Sequence, residues 1–98
     1  MMTAERLTPE TRVARRPAIL HTRLANQEAV LLDLDARRYF SLNVTGAEVW
    51  DFLQEETTVG AVSQWLAGRY AVDGEQIAES VQSLLEELLA ERLITVRV

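Results

Sequence analysis

The stretch DGEQIAESVQSLLEELLAERL, Asp73 to Leu93, is the strongest constraint on what this chain can fold into. At about 100° per residue, Ile77, Val81, Leu84 and Leu88 fall in one narrow stripe. Leu85, Leu89 and Ala78 carry that stripe round to an arc of roughly 140°. This is wide for a helix at the surface of a small domain. Either neighbouring helices bury the extra width, or one edge of the stripe lines an open groove. With 98 residues the chain has room for one domain and one modest core, so the helix must find its cover within the same short sequence.

That cover can be read upstream. EAVLLDL, Glu28 to Leu34, alternates, with Val30, Leu32 and Leu34 on one face and Ala29, Leu31 and Asp33 on the other. Asn26-Gln27 and Asp35-Ala36-Arg37 supply turns on either side. Ala18 to Leu24 reads as a short edge strand and Arg38 to Leu42 as the next strand, with Phe40 and Leu42 sharing a face. Three short strands joined by tight turns predict an antiparallel meander. So small a sheet needs a helical layer over its apolar face.

The layer follows at once. Asn43 or Thr45 can cap a helix running to about Gln54, and Thr45 with Glu48 has capping-box spacing. Val44, Ala47, Trp50 and Leu53 are available to its core face. Thr57 or Thr58 caps a second helix carrying Val62, Trp65 and Leu66 and ending near Tyr70, and Asp73 caps the third. Trp50, Trp65 and Tyr70 sit at helical positions expected in the core. Ile94-Thr95-Val96 either forms a last strand or closes the core. The expected fold is α+β: a three-stranded antiparallel sheet followed by three helices, winged-helix-like. Residues 1–17 read as a flexible arginine-rich arm punctuated by Pro9 and Pro17, and residues 18–98 as the domain, with strands in 18–42 and helices in 44–92.

Chemistry is sparse. His21 is the only histidine and there is no Cys, so a metal site would rest on carboxylates alone, and none is expected. Glu55-Glu56 and Glu86-Glu87 are sequence neighbours and point about 100° apart on a helix, a poor acid–base pair. Ser41, Ser63, Ser80 and Ser83 have no patterned His, and the four glycines are isolated, so neither a triad nor a phosphate loop is written here. No cofactor and no enzymatic activity are expected. Asn43-Val44-Thr45 matches a glycosylation sequon, but no secretory signal accompanies it. The opening residues carry charges where a signal peptide needs an apolar core, no run approaches the roughly 20 apolar residues of a membrane span, and the lack of Cys makes a cytoplasmic location the default expectation.

The net charge of −5 is unevenly placed. Arg6, Arg12, Arg15, Arg16, Arg23, Arg37 and Arg38 crowd the front, and most carboxylates fill the back. The pattern fits a solvated surface, or a docking surface for a partner carrying both signs. A winged-helix DNA-binding protein is the alternative of another class. Its recognition helix would need Arg or Lys, whereas the longest helix here carries Glu79, Glu86, Glu87 and Glu91 against Arg92. Tyr39 and Phe40 point to opposite faces of their strand. One of them must find an environment outside the core.

Leu42-Asn43, then Thr45-Gly46, then Val49-Trp50, followed by Arg69-Tyr70 through Asp73 into a Leu-rich helix, resembles the PqqD-like family of recognition elements for ribosomally made, post-translationally modified peptides. The resemblance covers about residues 18 to 96. It implies a non-catalytic domain whose peptide ligand, a precursor's leader, adds as an antiparallel strand to the third strand. Carried onto this chain, the peptide-binding edge is Arg38, Tyr39, Phe40, Ser41 and Leu42. The wall is Ile77, Val81, Leu84, Leu85 and Leu88. The length and the Arg-Tyr-Phe-x-Leu-Asn form look most like the leader-binding subunit of lasso-peptide systems. Such a subunit works beside a leader protease subunit and an ATP-dependent macrocyclase. A peptide chaperone serving a radical SAM enzyme is the alternative within the family. Neither nucleic acid nor a membrane is expected as a partner, and an exposed strand edge could pair two copies.

Overall fold

The alternating middle of the chain folds as an antiparallel meander. In the computed structural model, which describes residues 7–70 and 73–97, β2 (Leu20–Arg23), β3 (Ala29–Asp33) and β4 (Arg38–Leu42) form one sheet in that order. Leu20 lies opposite Leu32, and Leu32 opposite Tyr39, while His21, Leu31 and Phe40 make the next row. The inner face takes Ala29, Leu31 and Leu42 into the core. Both turns use residues with positive φ, Gln27 at 73° and Arg37 at 58°. Asp33 is the one charged residue buried among those described, and its Oδ1 accepts the Ala36 N–H at 3.2 Å, so the turn itself satisfies it.

A second sheet, in the order β5-β1-β6, joins Arg12–Arg15 (β1) to Thr57–Thr58 (β5) and Ile94–Arg97 (β6), all antiparallel. Here the structure corrects the expected arm at 1–17. Residues 1–6 lie outside the described residues, but β1 is the central strand of a sheet. Leu7 is only 3% exposed, its N–H bonded to Glu86 Oε2 and its carbonyl to Gln82 Nε2. The arginines obscured this. Only Val13 in β1 is wholly buried, and two adjacent apolar residues, Val13 and Ala14, between arginines carry no readable alternation. Of the two readings of the tail, the structure takes the strand.

The helices start where their caps predict. α1 (Val44–Phe52) is capped by Asn43, whose Oδ1 accepts the Gly46 N–H at 2.8 Å. α2 (Val59–Tyr70) has the Thr58 hydroxyl accepting the Ala61 N–H at 3.1 Å. α3 (Gly74–Ala90) has Asp73 accepting the Glu75 N–H at 3.0 Å. Gly46 explains the Thr-Gly that follows the strand: a Cβ there would lie 3.3 Å from the Leu42 side chain and from Asn43 Oδ1. The missing side chain lets α1 leave β4 at once.

Trp50, Leu31, Leu53, Val62, Leu85 and Leu88 are fully buried where sheet and helices meet. Each large apolar side chain so covered contributes about 1.5–3 kcal/mol. Two expected core residues lie elsewhere. Val44, in the first turn of α1, and Tyr70, at the end of α2, are both exposed. Trp65 is half-buried and stacks on Phe52 with ring centroids 4.8 Å apart. Among the described residues no helix is long and apolar enough to cross a membrane.

Candidate functional site

The free edge of β4 can be worked out from a single hydrogen bond. Leu24 donates its N–H to the Glu28 carbonyl at 2.8 Å, which turns the Leu24 main chain toward β3. Pairing continues one-to-one from Arg23 opposite Ala29 to Leu20 opposite Leu32. The two-residue alternation of an antiparallel ladder therefore directs Thr22 and Leu20 to β3 as well. They use the Val30 and Leu32 main chain. Ala29, Leu31 and Asp33 are left to face β4, where Leu42, Phe40 and Arg38 meet them. The main-chain N–H and C=O of Tyr39 and Ser41 consequently face away from the sheet. β4 is a terminal strand, and no described strand pairs with that side.

Side chains of β4 divide in the same rhythm. Leu42 is buried and Phe40 packs partly against the core, whereas Tyr39 is 73% exposed on the outer face beside an exposed Ser41. Arg38 is held at the strand's start. Its Nη1 lies 2.9 Å from Glu91 Oε1, and its Nη2 donates to the Glu91 carbonyl at 2.8 Å. Glu91, the C-cap of α3, follows Leu84 by seven positions, and Leu84 follows Ile77 by seven, so the three lie within about 40° of one another about the helix axis. The Arg38–Glu91 pair thus identifies the Ile77–Leu84 flank as the side of α3 turned toward β4.

The expected wall residues separate on this geometry. Ile77 and Leu84 are half-buried, packed on the core with part of their surface open. Val81, Leu85 and Leu88 are core residues, and Leu85 is 0% exposed. In this structure they lie beneath the surface, whereas the expectation placed them along a groove. The reason is the position of α3: it packs extensively on α2 and against β6, so the middle of its wide stripe is covered and only its flanks remain. Glu91 is the residue that sequence reading missed. The signal was available in its seven-residue spacing from Leu84.

The polar chemistry nearby is that of ion pairs. The Glu48 carboxylate accepts Arg69 Nε at 3.1 Å and Nη2 at 2.8 Å through one oxygen, and the Tyr70 hydroxyl donates to the other. Hydrogen bonds from Arg69 first, and Tyr70 second, hold the Glu48 carboxyl below the usual carboxylate range. This cluster ties α1 to α2. Among the described residues no group of three His, Cys, Asp or Glu side chains is placed to hold a metal ion. What the molecule offers is an unpaired strand edge beside an apolar helix flank, an arrangement suited to an extended peptide.

A family model described as Coenzyme PQQ synthesis protein D (PqqD) matches residues 28–94. No curated protein matches the chain. Three solved structures share its fold. TbiB1 in complex with the TbiA(beta) leader peptide has a TM-score of 0.75 and 23% identity, covering 83% of this chain and 93% of that one. Lasso peptide synthetase B1 complexed with the leader peptide has a TM-score of 0.73 and 24% identity, covering 85% and 96%. The third is the PqqD truncation of PqqCD from Methylobacterium extorquens, described as a stand-alone recognition element for ribosomally synthesized and post-translationally modified peptides. Its TM-score is 0.71 at 20% identity, covering 86% and 88%.

Proposed function

The chain belongs to the PqqD family, and on that premise we propose that it is a non-catalytic module that binds the leader of a ribosomally made precursor peptide. The observation that carries this reading is the outward-facing main chain of Tyr39 and Ser41 alongside the half-open flank of Ile77 and Leu84. A leader strand added antiparallel to β4 takes its register from those main-chain groups. Its side chains on the Phe40 side meet the α3 flank, and those on the other side lie beside Tyr39. Val81, Leu85 and Leu88 support the flank from within. Arg38 positions it by holding Glu91.

Two of the structural neighbours are bound to leader peptides, one of them a lasso peptide synthetase B1 protein, which supports the same ligand class for this chain. On this reading the protein acts in the cytoplasm without a cofactor, presenting the bound leader to a leader protease and an ATP-dependent macrocyclase. A second reading within the same family is delivery of a precursor to a radical SAM enzyme; the Methylobacterium recognition element supports the shared peptide-binding role of both readings. A second copy pairing through β4 would compete with the leader for the same edge.

The test is a fluorescence anisotropy titration of a labelled leader, from a precursor encoded beside this chain, with the protein and its Ser41→Pro variant. The Ser41 N–H points away from β3, so proline there leaves the native ladder intact while removing an outward donor. Saturable binding competed by unlabelled leader is expected. The variant should fold with an affinity about tenfold or more weaker. Equal affinity in a folded variant would exclude strand addition at this edge.

A further inference from the structure

The meander has a second free edge. β2 closes the sheet on the side opposite β4, and all four of its residues are exposed. The alternation that turns Leu20, Thr22 and Leu24 toward β3 leaves the main-chain N–H and C=O of His21 and Arg23 facing outward. Beside this edge lies a hollow of about 640 Å³, whose lining includes Arg15, Arg16, Pro17 and His21 together with the apolar Leu20 and Leu32. No carboxylate lines it, although the chain carries a net charge of −5. Among the described residues Arg12, Arg23, Arg38, Arg69 and Arg97 are each within ion-pairing distance of a carboxylate, whereas Arg15 and Arg16, like Arg37 and Arg92, have no such partner, and of these four only Arg15 and Arg16 line this hollow. Arg15 is spent partly on Trp50, with its guanidinium 5.4 Å from the ring centroid, and Arg16 donates to the Arg92 carbonyl at 2.9 Å. Each keeps further N–H donors, since a guanidinium has five.

We infer that the β2 edge is a second strand-addition site, whose occupant is an extended acidic segment of a partner protein. Charge distinguishes the occupants this edge can accept. A second copy adding its own β2 would bring Arg15, Arg16 and His21 of both molecules together, with no carboxylate lining either hollow. An acidic strand instead pairs its main chain with His21 and Arg23, sets alternate carboxylates against the two arginines, and covers Leu20 and Leu32 with the apolar residues between. Arginine and proline beside an edge also guard it against self-pairing, which suits a site reserved for a chain of the opposite charge. The two edges of this sheet are two strand spacings apart, about 10 Å. A partner segment on β2 and a peptide on β4 can therefore occupy the sheet together, and the inference stands independently of what β4 binds.

The test uses the whole isotope-labelled protein and two capped eight-residue peptides, one alternating Glu and Val, the other Lys and Val, followed by amide NMR. With the Glu peptide, saturable shifts are expected at His21 and Arg23, weakening at least fivefold between 50 and 300 mM salt. The Lys peptide should leave them unmoved. Two variants probe separate parts of the site. Arg16→Glu reverses one of the two positive charges, and His21→Pro removes an outward N–H without touching the β2–β3 ladder. Each should reduce affinity for the Glu peptide at least fivefold while keeping a dispersed native spectrum. Shifts at Tyr39 and Ser41 instead, an equal response to both peptides, or no response would overturn the inference. So would His21 and Arg23 shifts that track protein concentration without peptide, which would give the edge to a second copy.

Discussion

Leu84 and Leu85 are neighbours in sequence and opposites in role. The 100° between them places Leu85 at 0% exposure in the core, while Leu84 keeps part of its surface on the flank facing β4. Their substitutions should therefore separate stability from binding. Leu85→Ala leaves a cavity in a closed core and should cost about 2–5 kcal/mol of stability. Leu84→Glu puts its carboxylate at the open edge of the flank. It should fold, with a stability loss under about 2 kcal/mol, yet lose most leader affinity. Urea unfolding and anisotropy on the two variants check this. Full leader affinity in folded Leu84→Glu would remove the α3 flank from the site. Tyr39 illustrates the same logic on a strand: one step from Phe40 takes an aromatic ring from the core side to 73% exposure.

Among the elements, α1 is the hinge between edge and core. Asn43 follows β4 directly and caps α1, so its side chain fixes the direction in which the chain leaves that strand. Asn43→Ala should cost about 1 kcal/mol in a urea denaturation series. At its middle, α1 is clamped to α2 by Glu48 with Arg69 and Tyr70. Those hydrogen bonds lower the carboxyl's pKa in the folded state relative to the unfolded one. The clamp's contribution is therefore complete above the ordinary carboxylate range. It disappears as pH falls through that range to the lower folded pKa, since the unfolded chain then binds the extra proton. In thermal melts from pH 7 to pH 3, the gap between the native protein and Glu48→Gln should be widest near neutrality and close toward acid. A gap of constant width would mean that the pair acts only through packing.

At the scale of the whole molecule, the N-terminal segment is part of the body. β1 lies between β5 and β6, Leu7 fits against α3, and Gly60 donates its N–H to the Pro9 carbonyl at 2.9 Å. A variant beginning at Ala18 loses Leu7 and Val13 from the core and leaves β6 without a partner. It should lose cooperative unfolding, or melt at least 15 °C lower, as followed by circular dichroism. A dispensable arm would have left the midpoint unchanged. The same view separates what sequence could and could not show. The meander, the three helices and their caps were legible, because alternation, turn residues and capping side chains act over a few residues. β1 and β5 were not: they are four and two residues long and owe their existence to partners up to 85 positions away.

The local grammar is written in the sequence: where strands alternate, that Asn43 or Thr45, Thr57 or Thr58, and Asp73 can start helices, which stripe of α3 is apolar, and that β4 is a strand with aromatics on both faces. Each of these follows from a side chain's effect on its own turn or strand. Long-range packing sets which part of the α3 stripe is covered, which main-chain groups of β4 are left unpaired, and that Glu91 meets Arg38. Those depend on how α2, α3 and β6 pack together. The competition for a limited apolar surface is resolved by the whole chain at once, so no local pattern records its outcome.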